Sequence, residues 1–292
     1  MPESQNPMQH DTLISAPDVM ALQTAGAPLV LLDCGFDLGD VTAGERTYAA
    51  GHLPGAHYAH LDRDLSGPKD GRNGRHPLPG RDALAGRLGQ WGVLPGVQVV
   101  TYDDQGLPYA ARAWWLLRWL GHGAVAVLDG GRAAWLAAGG MLSTAVPAAA
   151  SGPAYPAAAA AAMPVITSQD LLARLDNVRA GTLKLLDARA GERFRGEVEP
   201  LDPVAGHIPG ATQRFFKDNL AADGRFKPPA QLRQEFEALG ASGPDSVQQC
   251  GSGVTACHNL LAMAHAGLGL STLYAGSWSE WCSDASRPVA RG

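Results

Sequence analysis

Cysteine is scarce. The 292-residue chain has only Cys34, Cys250, Cys257 and Cys282, and no two of them form a C-x-x-C pair. That spacing supports neither a disulfide framework nor a zinc site, so the thiols are expected to be free and in a reducing compartment. Positive charge is also in short supply: 23 Lys and Arg stand against 28 Asp and Glu, for a formal net charge of -5. The cations are scattered rather than clustered, which argues against nucleic acid as the main partner and favours a small substrate. Long apolar runs are missing too, since no segment approaches the ~18 continuous apolar residues of a membrane span. The stretch MPESQNPMQHDTLIS lacks a basic region followed by an apolar one, so a cytoplasmic protein without membrane contact is expected. The adjacent Cys257 and His258 are no metal site, and neither a metal nor a cofactor is expected.

What the sequence does contain is a repeat. GHLPGA at Gly51–Ala56 returns as GHIPGA at Gly206–Ala211, with only Leu exchanged for Ile. Other landmarks follow in the same order in both halves: LVLLDCG and LKLLDAR, VQVVTYDD and SVQQCGSG, LDGGRAAW and LYAGSWSEW. Between them lies AVPAAASGPAYPAAAAAAMP (Ala145–Pro164), rich in Pro and poor in large apolar residues, which predicts an extended linker across the surface. The expected organisation is therefore residues 10–144, a linker at 145–164, and residues 165–292. Within each half, short β-rich runs (Leu29–Asp33, Val97–Tyr102, Val125–Leu128, Lys184–Asp187, Leu270–Tyr274) alternate with stretches of helical period. The clearest of those are Ala83–Gln90, Ala110–Leu120, Ser168–Leu175, Gln231–Leu239 and Val254–Ala266. Such alternation predicts an α/β fold, with a mainly parallel sheet flanked by helices in each domain. Trp114, Trp115 and Trp119, at helical spacing, are expected in a core or an interdomain face.

The stretch VQQCGSGVTAC (Val247–Cys257) ends a predicted strand and opens a predicted helix, where α/β sheets place their ligands. Gly251 and Gly253 permit close backbone approach, and the unpaired N–H groups of a helix beginning near Val254 and Thr255 favour an anion. A thiol in such a loop ionises more readily than a free one, which makes Cys250 a candidate nucleophile rather than an inert buried cysteine. A phosphatase would need an arginine closing the loop, but Ala256 stands there, and no local signature supports a Cys–His protease. At the matching position of the first half is Asp103, a carboxylate in place of the thiol.

CGSGVTAC, GHLPGA and GHIPGA, the LLDxR segment and YAGSWSEW together resemble the tandem-domain sulfurtransferases of the rhodanese superfamily, from about Leu13 to Trp281. The glycine–serine–glycine loop is most similar to the branch that uses 3-mercaptopyruvate. The resemblance implies two tandem rhodanese-like domains, with a catalytic C-terminal half and a degenerate N-terminal half forming one wall of an interdomain cleft. It implies that Cys250 carries a persulfide between a small-molecule sulfur donor and a thiol acceptor such as thioredoxin or a small thiol, or cyanide. It also implies a relay of Ser252, His76 in RHPLPG and Asp62 in AHLDRDLS, the last two coming from the first domain, in which Asp62 fixes the imidazole and Ser252 protonates the departing enolate. Arg193 matches the first arginine that binds the donor carboxylate, and Gly251, Gly253, Val254 and Thr255 complete the substrate loop. Ion pairs with Asp187, Glu192 or Glu197 are the alternative role for Arg189, Arg193 and Arg195, Arg189 being the more structural of the three. The second carboxylate-binding arginine of the animal enzymes aligns with Leu201, in a segment two residues shorter, which keeps thiosulfate in play as a donor. A third possibility is a persulfide carrier or redox-sensing module without turnover.

Overall fold

The computed structural model describes residues 9–292. Five parallel strands form the first sheet: β1 (Leu13–Ile14), β2 (Leu29–Asp33), β3 (Ala56–Tyr58), β4 (Gln98–Tyr102) and β5 (Val125–Leu128), in the order β1-β5-β4-β2-β3. Four more form the second: β6 (Lys184–Asp187), β7 (Thr212–Gln213), β8 (Ser246–Gln249) and β9 (Thr272–Leu273), in the order β7-β6-β8-β9. An isolated parallel bridge from Val165 to Leu273 stands where β1 pairs with β5 in the first sheet, so the two orders coincide. The central strands of the first sheet are short, mostly apolar and almost wholly buried, as a parallel sheet covered by helices requires.

Contacts divide the chain into two compact units, one comprising the chain up to His60 with Arg81–Ala160, the other Leu61–Gly80 with Ala161–Gly292. The segment Leu61–Gly80, which precedes much of the first unit in the sequence, thus folds with the second. The first unit packs Val19, Leu31, Val100, Tyr102, Leu128 and Trp135 in its core; the second packs Leu171, Leu185, Ile208, Val247, Tyr274 and Trp278. Burial of each such large side chain contributes about 1.5–3 kcal/mol. Trp114 and Trp115 lie in the core of the first unit, and Trp115 stacks on Trp119.

The repeated GHxPGA segments do the same structural job twice. His52 stacks on Tyr48 at 3.9 Å and bonds its carbonyl through Nδ1, while His207 stacks on Phe194 at 3.9 Å and bonds its carbonyl through Nδ1. Each also anchors a later strand-like segment by an antiparallel bridge, to Ser143 and Ala290 respectively.

Differences from the expected elements have local causes. The helix expected over Ser168–Leu175 breaks at Arg174 into Ser168–Ala173 and Leu175–Arg179. The strand expected over Leu270–Tyr274 shortens to β9, following Gly267 and Gly269 with φ of 68° and 80°. The Ala- and Pro-rich stretch forms no helix, but it does not run free. Tyr155 is buried, its N–H donates to Ala85 O and its hydroxyl meets His122 Nδ1, while Ala158 N–H donates to Leu120 O.

Candidate active site

Cys250 follows β8, and the helix Thr255–His265 begins five residues later. The thiol is 2% exposed, and its Sγ accepts the Gly253 N–H at 3.2 Å. The two glycines serve different ends. Gly253 has φ of 79°, and a Cβ there would lie 2.3 Å from Ala275 O, so only glycine fits. Gly251 instead leaves room for guanidinium groups above the loop. Val254 precedes the helix and Thr255 starts it, so the first turn of the helix adjoins the loop.

A second segment braces the loop from behind. Ser277 Oγ accepts the Cys250 N–H at 3.1 Å and donates to Tyr274 O, Trp278 N–H donates to Cys250 O, and Ser279 N–H donates to Gly251 O. Ser277 holds this position at φ of 54°, a left-handed conformation that costs a non-glycine residue of order 1 kcal/mol. The first repeat has Gly131 in its place, at φ of 58°. The repeat that carries Cys250 thus accepts strain in exchange for a hydroxyl on the cysteine's backbone.

The three residues expected to form a relay are brought together within the second unit. His76, 4% exposed, places Nδ1 2.7 Å from Ser252 Oγ. Its Nε2 lies 3.7 Å from Asp62 Oδ1, beyond a direct hydrogen bond, and the same oxygen accepts Lys69 Nζ at 3.0 Å. Asp62 and His76 both belong to Leu61–Gly80, which explains how residues so distant in sequence reach the cysteine loop.

The arginines sort by burial. Arg189 is buried against Asp187 at 2.7 Å, with its guanidinium 4.8 Å over the Trp278 ring. Burial opposes its charge, but Asp187, Glu199 and Cys250 more than offset that and hold it firmly protonated. Arg195 pairs with Glu197 at the surface. Arg193 pairs with Glu199 at 2.7 Å and Asp202 at 3.3 Å, neither of which the local sequence suggested. Burial raises the Asp202 carboxyl above its ordinary value, although Arg75 pulls it down. Arg75 and Asp202 were missed at the level of sequence; the one available signal was the cation directly before His76. Cys257 and His258 are buried on the following helix, where the Cys257 thiol donates to Gly253 O and His258 stacks on Phe226. Among the described residues no cluster of His, Cys, Asp and Glu could hold a metal, and no helix is long and apolar enough to cross a membrane.

In the first unit Asp103 follows β4 as Cys250 follows β8, and its carboxylate accepts four backbone N–H groups, from Gln105, Leu107, Tyr109 and Ala110. The anion cradle is preserved there, but a side chain of the chain itself fills it.

The rhodanese-like domain family matches residues 15–138. Along nearly its whole length the chain is 52% identical to a Pseudomonas aeruginosa protein named "Probable 3-mercaptopyruvate sulfurtransferase", over 94% of this chain and 96% of that one. The chain belongs to the rhodanese family of tandem-domain sulfurtransferases. It is also 40% identical to SseB of Mycobacterium tuberculosis, a protein named for thiosulfate, over 96% of this chain and 97% of that one. The crystal structure of SseA from Escherichia coli, titled as a 3-mercaptopyruvate enzyme, superposes with a TM-score of 0.77 at 29% identity, covering 92% of this chain and 99% of that one. As a sulfurtransferase, the chain works on a sulfur donor and a sulfur acceptor.

Proposed function

We propose that this sulfurtransferase takes sulfur from 3-mercaptopyruvate and passes it to a thiol or to cyanide through a persulfide on Cys250. The observation that carries this reading is the 2.7 Å contact of His76 Nδ1 with Ser252 Oγ, two residues from the cysteine. Carbon–sulfur cleavage leaves an enolate that must be protonated, whereas thiosulfate loses sulfite as a stable anion and needs no such route. The relative at 52% identity carries the mercaptopyruvate name, which supports the same choice.

In the first half-reaction Cys250 thiolate attacks the donor's sulfur; the S–S bond forms, the C–S bond breaks, and its electron pair leaves as pyruvate enolate. With Asp62 favouring a proton on Nε2, a His76 imidazolium donates Nδ1–H to Ser252 Oγ and leaves the serine O–H free to face the enolate carbon. Ser252 gives up that proton and recovers one from His76. In the second half-reaction an acceptor thiol or cyanide attacks the outer sulfur, and Cys250 returns as thiolate. The kinetics are therefore ping-pong.

Steady-state rates on mercaptopyruvate and thiosulfate, with mass spectrometry of Cys250 after donor treatment, test this. The expected result is a higher kcat/KM for mercaptopyruvate and one sulfur added at Cys250, both lost in Cys250→Ser. A higher kcat/KM for thiosulfate, with Ser252→Ala affecting both donors equally, would transfer the assignment to thiosulfate, the donor named for the Mycobacterium tuberculosis relative.

A further inference from the structure

The donor proposed above has a carboxylate at one end, and the position aligned with a second arginine is Leu201, whose side chain cannot pair with it. A second guanidinium nevertheless stands at the loop. Arg75 comes from the segment Leu61–Gly80; its backbone N–H donates to Ser279 Oγ at 3.0 Å, and Ser279 N–H in turn donates to Gly251 O at 2.9 Å. A Cβ on Gly251 would lie 2.8 Å from Arg75 Nη2, and 3.5 and 3.7 Å from the two terminal nitrogens of Arg193. Both cations therefore flank one point on the face of the loop beside Cys250. They also share a counter-ion, because the buried Asp202 pairs with Arg75 through one oxygen and with Arg193 through the other.

We propose that Arg75 is the second donor-binding cation of this chain, gripping the substrate carboxylate together with Arg193. The proposal rests on mercaptopyruvate being the donor. Asp202 orients both guanidinium forks, and an incoming carboxylate accepts from the N–H groups that the forks direct at Gly251. Arg75 and His76 are neighbours, so one dipeptide holds the carboxylate end of the donor and feeds the proton needed at its carbon–sulfur end. Gly251 is required because a side chain there would push Arg75 away.

The test compares full-length wild type, Arg75→Gln and Arg75→Lys on 3-mercaptopyruvate and on 1-mercaptopropan-2-one, which has the same ketone and thiol without the carboxylate. Arg75→Gln is expected to raise KM for mercaptopyruvate about ten- to a hundred-fold, with Arg75→Lys intermediate. Its kcat on mercaptopyruvate and its kcat/KM on the carboxylate-free donor are expected to stay within about threefold of wild type. An unchanged mercaptopyruvate KM, or an equal loss on both donors, overturns the proposal. Pyruvate protection of Cys250 against iodoacetamide gives a readout that needs no turnover. Loss of protection in Arg75→Gln sustains the role of Arg75 even if wild type fails to use mercaptopyruvate, in which case only the donor assignment falls. Equal protection of wild type and variant, or none in either, overturns it.

Discussion

At the scale of single residues, the contacts of the proposed relay are unequal. His76 is buried and in short contact with Ser252, whereas Asp62 stands 3.7 Å from the imidazole and shares its nearer oxygen with Lys69. A general acid contributes about 10²–10⁴-fold, and a group that only orients it contributes less. His76→Gln and Ser252→Ala are therefore expected to lower kcat on mercaptopyruvate by about a hundredfold or more, and Asp62→Asn by about tenfold. Thiosulfate rates should change little in all three variants, because sulfite needs no proton to leave. Parallel kcat measurements on the two donors check the ranking; an Asp62→Asn loss equal to that of His76→Gln would mean the imidazole depends on its carboxylate more than the distance implies.

At the scale of the element, the strand–loop–helix unit appears twice with opposite occupants: a thiol at Cys250, a carboxylate at Asp103. Removing the carboxylate leaves three buried N–H donors, of Leu107, Tyr109 and Ala110, and the half-buried N–H of Gln105 without this acceptor, so Asp103→Ala is expected to cost about 2–4 kcal/mol at pH 7, read from denaturant unfolding. Burial pushes the Asp103 carboxyl up to about 6 even though these donors lower it. A carboxyl raised on folding holds its proton more tightly in the native state. The protonation-linked part of its contribution, separate from the hydrogen bonds that remain at pH 7, is thus fully present below pH 3.8 and is lost as pH rises through about 6. A carboxyl-carbon NMR titration with a midpoint near 3.8 would contradict this. The same element shows what was legible in advance. Leu29–Asp33 and Val125–Leu128 stand out as continuous apolar runs, and the cysteine loop stands out because its glycines, helix start and thiol are contiguous. Two-residue strands such as β1 and β7 carry no period to detect. Arg75, Asp202 and the left-handed Ser277 owe their roles to partners far away in sequence or to backbone angles, neither of which a local pattern contains.

At the scale of the whole molecule, the repeat in sequence does not coincide with the division in space. Leu61–Gly80 lies in the first half of the chain but folds with Ala161–Gly292, and it delivers Asp62, Arg75 and His76 to the loop of Cys250. A fragment beginning at Pro164 keeps Cys250, Ser252 and Arg193 but loses the imidazole, one of the two guanidinium groups at Gly251, and the backbone anchor that Arg75 gives Ser279. Asp202 then retains Arg193 as its partner but loses Arg75. The fragment is therefore expected to form persulfide from mercaptopyruvate at least a hundredfold more slowly than the full chain, the loss assigned to one general acid. Thiosulfate, which needs no proton, should suffer less. Circular dichroism establishes whether the fragment is folded, and mass spectrometry of Cys250 over time gives the two rates. A folded fragment that acquired sulfur from mercaptopyruvate as fast as the full chain would remove Asp62, Arg75 and His76 from the mechanism together, and would leave Cys250, Ser252 and Arg193 to explain the whole rate.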